Sequence, residues 1–434
     1  MRVQRYTSVV DHLAAAIRSG ALPPGTRLPT HRCLAREHGI AQATATKVYR
    51  ALVAAGLVVG EPGRGTFVRD LSGFAGLEPR RLPHRQPGVD LSFNQPLAAT
   101  QGDQLRTALR ELAAESDLAA LLRQQPPGGR SRDRAAIATY LLGRQIDVAP
   151  DAVLLTAGAQ HGLDTTFGAL GALVAADTLT YPGAKVSAAT RRVELAPIRA
   201  DFTGTDLDHL VWLCTRRPIT AIDTIPSLHN PLGFTLDTEA RQRITDIARR
   251  HDLTIIEDAT YAFLEPEAPP ALFTLAPERT VYVGSMSKNL AAGLRVGFLV
   301  VPPQLRPELS RVLRASSWGT SSVSAALTTR WLGDGTVGRL ENLRRDDARE
   351  RQALARDRLS GLDYRAHPGS YCGWLTLPED SRSDLVTTAD AFSLTPNAPN
   401  ALRLALATPE LADLEAALGR IRTVVTDHSA RPPA

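Results

Sequence analysis

The chain has 434 residues, 43% hydrophobic and 22% charged, with a net charge of +5. This excludes a disordered or collagen-like chain and predicts two or three cores. No apolar run reaches the roughly 18–20 residues of a membrane span, so no membrane partner is expected, and none follows Met1–Tyr6 as in a secretory signal. Cys33, Cys214 and Cys372 are scattered and odd in number, which argues against a disulfide framework or metal site and fits a reducing cytoplasm.

Charge divides the chain: residues 1–70 carry +6 and the remaining 364 sum to −1. In that basic piece, Ser8 and Asp11 can cap a helix over 8–20, and Leu22-Pro-Pro-Gly25 forces a turn. Thr30 can cap a second helix over 31–38, and a third is expected from about Ala43 to Ala55. Two short strands, 57–59 and 66–68, then flank Glu61-Pro-Gly-Arg-Gly65. The pattern is a helix-turn-helix with a wing. In such a unit the third helix enters the major groove of double-stranded DNA, while basic residues neutralise phosphates. Lys47 and Arg50 suit phosphates, and Arg64 at the wing tip suits the minor groove. Short basic helical domains without DNA also show this pattern.

Gly20–Ala35, with Leu-Pro-Thr-His-Arg-Cys-Leu-Ala at its end, resembles the opening signature of the GntR-type winged helix. Thr44–Leu52, Ala55-Gly-Leu-Val58 and Gly63-Arg-Gly-Thr66 resemble its recognition helix, exit and wing. The resemblance implies a DNA-binding set of Arg32, Gln42, Thr44, Thr46, Lys47, Arg50, Arg64 and Gly65. Where the family often has Ser/Thr-Arg, Ala41-Gln42 stands here; an arginine–guanine contact is lost, and glutamine can pair with adenine. Residues 71–89 have the Gly, Pro and Arg content of a linker.

From residue 90 to 434, strand-like runs alternate with helical patterns such as Thr238–His251. Candidate strands are Val153–Thr156, Thr220–Ile225, Leu253–Glu257, Thr280–Val283 and Gly297–Val301. This alternation predicts an α/β domain with a mostly parallel sheet covered on both faces, with ligands at the carboxyl ends of strands. Those ends carry Gly158-Ala159-Gln160, Asn230-Pro-Leu-Gly233, Asp258 with Tyr261, and Ser285-Met-Ser287-Lys288 with Arg295. Singly these features are ordinary: tight turns, a helix cap, a solvated lysine. Lysine, however, occurs only at Lys47, Lys185 and Lys288, against 47 arginines.

Together they meet the needs of pyridoxal phosphate (PLP). Its aldehyde takes a lysine amine as a Schiff base, its ring nitrogen an acid, its phosphate N–H groups, hydroxyls and an arginine, and its ring a flat face. The constellation resembles the fold-type I, aspartate-aminotransferase-like family over about 90–434, with a small C-terminal subdomain over about 315–434. The resemblance assigns Lys288 to the Schiff base, Asp258 to the ring nitrogen, Asn230 and Tyr261 to the ring hydroxyl, and Tyr181 to stacking. It assigns Ala159, Gln160, Ser285, Ser287 and Arg295 to the phosphate, and Arg403 to a ligand carboxylate.

Departures from that family are visible. The tyrosine reaching the neighbouring subunit is replaced near Gln124–Gly129, its following Leu-Arg is Asp133-Arg134, and two family prolines are Leu179 and Ala292. The Gly and Trp of the family's N-terminal arm are not evident in Ser92–Leu105.

Both halves in this order resemble the MocR subfamily of GntR-type bacterial regulators. That implies a domain-swapped homodimer in the cytoplasm, DNA as target, and PLP and often a small amino compound as effectors. The function expected is a PLP-dependent transcriptional regulator that senses through Lys288. Two alternatives stay open: a working aminotransferase with an appended DNA reader, and a sensor of PLP itself.

Overall fold

A computed structural model describes residues 9–10, 12–14, 16–17, 21–23, 25–54, 57–61, 65–68, 89–115, 117–171, 173–378 and 387–429. Ser8, Asp11, Arg64 and positions 71–88, which the sequence reading invoked, lie outside the described residues. The chain forms two compact units, 1–80 and 81–434.

In the first unit, residues 9–17 are helical where described, and their apolar positions Val9, Leu13 and Ile17 recur at helical spacing on the core side. Helix α1 spans His31–Glu37, with the Thr30 side chain accepting from the Cys33 N–H at 3.3 Å. Helix α2 spans Gln42–Ala54, and β1 (Val58–Glu61) pairs antiparallel with β2 (Gly65–Val68) in the register Val58 to Val68. On α2, Ala45, Val48, Tyr49 and Leu52 are buried against Leu28, Leu34 and Val58. The Tyr49 hydroxyl donates to the Pro29 carbonyl, tying the helix to the turn before α1.

So small a core depends on each member. Leu52→Ala is expected to destabilise this unit by about 2–5 kcal/mol, which in a unit this size approaches its whole stability. Circular dichroism melts would then show the first transition lost or shifted far down while the second unit melts unchanged.

The second unit holds a seven-stranded sheet. Its strands are β3 (Val153–Thr156), β4 (Leu173–Asp177), β5 (Glu194–Ile198), β8 (Ala221–Thr224), β9 (Thr254–Asp258), β10 (Thr280–Ser285) and β11 (Gly297–Val300), in the order β3-β11-β10-β9-β8-β4-β5. The strands are parallel except that β11 runs antiparallel to both of its neighbours. A hairpin of β6 (Ala200–Asp201) and β7 (Gly204–Thr205) lies outside the sheet. Alternate residues feed opposite cores: Val281, Val283, Ile256 and Leu299 pack with Leu163 and Phe167 of helix α3 (Ala159–Leu170) and Ala184 and Ala188 of helix α4 (Pro182–Arg191). The other face has two cores, one around Ile222 and Ile255 with helix α5 (Thr238–Arg250), the other around Tyr282 and Phe298 with Ile137 and Trp331.

The long helix α6 (Thr336–Arg358) leads to a second sheet. It contains β12 (Tyr364–Arg365), β13 (Cys372–Thr376), β14 (Thr387–Thr388) and β15 (Ala401–Ala405), all antiparallel in the order β12-β13-β15-β14. Helix Leu411–Ser429 closes its core through Leu414, Leu418 and Ile421. Among the described residues, no helix is long and apolar enough to cross a membrane.

Candidate functional site

Strand register brings one end of the site together. Ser285, the last residue of β10, sits opposite Gly297, which in turn sits opposite Thr156 at the end of β3. A Cβ on Gly297 would fall 2.6 Å from the Gly158 carbonyl carbon, so glycine is required where the two backbones meet. Gly158 adopts φ 95° and delivers the chain into α3. The first N–H groups of that helix, at Ala159 and Gln160, lack intrahelical acceptors by geometry. Arg295 Nη2 donates to the Ala157 carbonyl at 2.9 Å, and the Ser285 hydroxyl accepts from the Ser287 N–H at 3.0 Å. Helix N–H groups, the Ser285 hydroxyl and a guanidinium thus lie along one edge of the sheet, a combination that suits an anion. Gln160 contributes only its backbone here, because its side-chain amide donates to the Gly183 carbonyl and Ser187 hydroxyl, each at 2.8 Å.

Asp258 ends β9 in a buried position, its Oδ1 accepting from the Thr260 N–H at 2.9 Å. Burial raises its carboxyl above the usual range, while the Thr260 bonds and the positive Lys288 oppose that. Asp223, on the neighbouring β8, is raised well above the usual range by burial and by the Asp258 and Asp177 charges. His229 Nδ1 accepts from the Leu232 N–H at 3.3 Å, which assigns the proton to Nε2, 3.2 Å from Asp177 Oδ2. The ring stacks on Phe234 at 4.3 Å. Asp177, Asp223 and His229 are therefore a buried layer behind Asp258 that sequence reading did not assign.

Lys288 lies on a π-helical turn, Ser287–Ala291, and its Nζ donates to the Asn94 carbonyl at 2.6 Å. Burial, helped by the Arg403 and Arg295 charges, pushes its ammonium down to about 8. Asn94 is a second unassigned residue. Its Nδ2 donates to the Tyr261 hydroxyl (3.2 Å) and Cys372 Sγ (3.3 Å), and its Oδ1 accepts from the Ala407 N–H. Cys372 Sγ in turn lies 3.9 Å from Asn230 Oδ1. Burial raises the Tyr261 hydroxyl well above the usual phenol range. Arg403, on β15, donates to the Ser92 carbonyl at 2.6 Å and rests 5.1 Å over Phe392, and its buried Nε has no partner among the described residues.

Tyr181 precedes α4, and the charges of Asp258, Arg295 and Arg403 all act on its hydroxyl. A Cβ on Gly183 would stand 2.3 Å from Tyr181 Cε1 and 1.8 Å from Gln160 Oε1. Gly183→Ala is therefore expected to push the Tyr181 ring out of place and weaken PLP binding about tenfold or more, read by equilibrium absorbance titration. Lys185, without a role in sequence, donates to the Asp390 and Ala391 carbonyls (3.2 and 2.8 Å), holding the turn before Phe392.

In the first unit, Gln42, Lys47 and Arg50 are exposed and Thr46 half-buried, all within about 140° of arc on α2 at 100° per residue. Thr44 sits outside that arc, at the edge of the buried side, and Val53 joins the exposed face unanticipated. Arg32 is exposed on α1, and Gly65 opens β2 with φ 127°. The Thr46 hydroxyl donates to the Gln42 carbonyl.

An anion-suited edge, a buried lysine and a buried carboxyl at the carboxyl ends of a parallel sheet define a PLP-type site, and pyridoxal phosphate is the cofactor it fits. The comparisons agree with this class. The profile of aminotransferase class I and II matches residues 86–421, and that of bacterial regulatory proteins, gntR family, matches residues 5–68. The chain belongs to the aminotransferase class I and II family and carries a gntR domain in front, the architecture of the MocR subfamily of GntR-type transcriptional regulators.

The uncharacterized HTH-type transcriptional regulator YdeF of Bacillus subtilis is 27% identical over 97% of this chain and 94% of its own length. The probable rhizopine catabolism regulatory protein MocR of Rhizobium meliloti is 29% identical over 87% and 80%. Among solved structures, the α-aminoadipate aminotransferase LysN of Thermus thermophilus, complexed with N-(5'-phosphopyridoxyl)-L-leucine, aligns with a TM-score of 0.71 at 24% identity, covering 79% of this chain and 92% of that one. This likeness shows the fold.

Proposed function

We propose that this chain regulates transcription by binding DNA through residues 1–70 and reading PLP and a small amino compound through residues 90–434. The observation that carries the reading is Lys288: a buried amine, pushed down to about 8, within one cluster with Asp258, Tyr261 and Arg403. Bound PLP supplies an aldehyde that a primary amine can occupy reversibly. Lys288 is the resident amine, and its depressed value keeps an appreciable share of it neutral and nucleophilic near neutral pH. Asp258 holds the ring nitrogen, Asn230 and Tyr261 the ring hydroxyl, and Tyr181 the ring face. Ala159, Gln160, Ser285, Ser287 and Arg295 hold the phosphate.

Arg403, with its free Nε, holds the carboxylate of an amino acid effector. An arginine already seated on the Ser92 carbonyl also links that event to the residues that follow the linker. On the DNA side, Gln42, Thr44, Thr46, Lys47 and Arg50 on α2, with Arg32, Arg64 and Gly65, form the reading surface.

A second copy of the chain completes the assembly. Leu97 and Leu122 are 72% and 88% exposed, and Leu118 and Val323 are also exposed. Such apolar residues suit a homodimer interface. The cytoplasm is the proposed location, where DNA and PLP are both present.

The test is PLP capture against pH. Its rate is expected to rise roughly tenfold from pH 7 to pH 9 and level off above, as the Lys288 ammonium loses its proton around 8. A flat profile would rule out Lys288 as the capturing amine. The intact set of Lys288, Asp258 and Arg403 also supports the aminotransferase reading. Steady keto-acid formation from an amino acid would favour that reading over sensing alone.

A further inference from the structure

A separate cavity of about 570 Å³ lies on the side of the sheet away from α3 and α4, between Tyr140, Arg144, Glu257, Glu265, Tyr282 and Arg345. That volume is in the range of small-molecule sites. Its charges are arranged by sign. At one end, Arg144 and Arg345 share a single carboxylate, Glu341, at 2.8 and 3.4 Å. This end carries one positive charge in excess.

At the other end stand Glu257, which accepts from the Leu272 and Phe273 N–H groups at 3.1 and 2.9 Å, and Glu265, which accepts from the Thr235 hydroxyl and lies 3.5 Å from His367 Nε2; among the described residues Arg241 is the one arginine near both. Arg241 is only 1% exposed, and its donors are taken by the Leu236, Pro226 and Pro270 carbonyls and the Ser227 hydroxyl. Glu257, Glu265 and Arg241 together sum to one negative charge, which His367 offsets only when it is protonated. Tyr282 lines the same cavity at 4% exposure, and its hydroxyl has no hydrogen-bond partner among the described residues. The hydroxyl itself is accessible and so opens onto the cavity, where a water or a ligand atom can meet it.

We infer that this cavity is a second small-molecule site, built for an amino acid zwitterion, with the carboxylate toward Arg144 and Tyr282 and the ammonium toward Glu257 and Glu265. A lone anion or cation would leave one end unbalanced in a half-buried setting, whereas a zwitterion matches both ends.

The site is wired to the cofactor lysine. Tyr140 and Glu341 at the Arg144 end accept from Asn289 Nδ2, at 3.0 and 2.8 Å. Asn289 is the residue after Lys288, on the same π-helical turn. Tyr282 shares β10 with Ser285 of the anion-suited edge. An occupant that shifts Tyr140 or Tyr282 therefore bears on both.

The test uses the full chain freed of PLP by exhaustive dialysis and carrying Lys288→Ala and Arg403→Ala, so that neither an aldehyde nor the carboxylate grip is left at the PLP site. The twenty proteinogenic L-amino acids are titrated one at a time by calorimetry, with N-acetyl derivatives as ammonium-free controls. The expected result is that at least one free amino acid binds, that its N-acetyl form binds at least tenfold more weakly, and that Arg144→Met weakens it at least tenfold. Because Arg144→Met leaves the buried Glu341 with Arg345 as its one ion-pair partner among the described residues, Tyr282→Phe and Glu265→Gln are measured beside it, and each is expected to weaken binding severalfold in a folded protein. No binding by any amino acid, equal binding of the N-acetyl form, or indifference to both Tyr282→Phe and Glu265→Gln would overturn the assignment. Loss of PLP capture at Lys288 in the parent chain would count against the proposed function and not against this site.

Discussion

Lys288→Ala is expected to abolish covalent retention of PLP after borohydride reduction, while the wild-type chain retains about one equivalent. The reason lies in the choice of amines: Lys47 and Lys185 are the only other lysines in 434 residues. Lys185 is committed to two carbonyls, and Lys47 belongs to the first unit. Stability should hardly change. The substitution removes one hydrogen bond, to the Asn94 carbonyl, worth about 0.5–1.5 kcal/mol. It also removes an ammonium that burial disfavours, which offsets part of that loss. Non-covalent PLP binding through its phosphate should survive at lower affinity, since Arg295, Ser285 and α3 are untouched. Mass spectrometry of the reduced protein, beside a thermal melt, reads both outcomes. Retained covalent PLP in a folded variant would contradict the assignment of Lys288.

Replacing Lys47 and Arg50 together by alanine is expected to weaken DNA binding about 10- to 100-fold near physiological salt. The slope of log affinity against log salt should flatten by roughly 1.8, at about 0.9 per phosphate contact. Both side chains are exposed on α2, so the fold should tolerate the change to within about 0.5 kcal/mol. Gln42→Ala is expected to act differently. It sits at the start of α2, where side chains reach base edges, so it should narrow the gap between specific and non-specific DNA more than it changes the salt slope. Fluorescence anisotropy at several salt concentrations separates the two effects. An unchanged slope in the double variant would place the phosphate contacts elsewhere.

The site strands and helices announced themselves through short apolar runs and turn residues, and five of the seven sheet strands were legible within a residue or two. β4 and β5 were not. β4 is a brief apolar run preceding Thr178, and β5 contains Pro197, which a central strand excludes but an edge strand tolerates. The small antiparallel sheet escaped as well, because strands of two residues such as β12 and β14 carry no period.

Of the site, the residues at strand ends were legible, because one kind of chemistry recurred at one edge of the sheet. Asn94 and Ser92 were not, since they act from a segment about 190 to 310 positions away in sequence from their partners. Asp223 left a trace, a charge inside the apolar run Thr220–Ile225, and His229 stood beside Asn230. Their roles emerged only from burial. The cavity between Tyr140 and Glu257 had no signal at all, because its lining comes from seven separate runs of chain between Ala136 and Arg345.

The central claim is that what occupies Lys288 changes how the first unit holds DNA. Its direct measurement is the dissociation constant for the DNA upstream of the protein's own coding sequence, determined without PLP, with PLP, and with PLP plus a candidate amine, in wild-type and Lys288→Ala protein. A ligand shifts this equilibrium only through unequal affinity for two arrangements of the chain. The account predicts a shift of about fivefold or more in the wild type, within the usual range of coupling between sites, and none in the variant. Equal DNA affinity across all conditions in the wild type, or the same shift in both proteins, would contradict it.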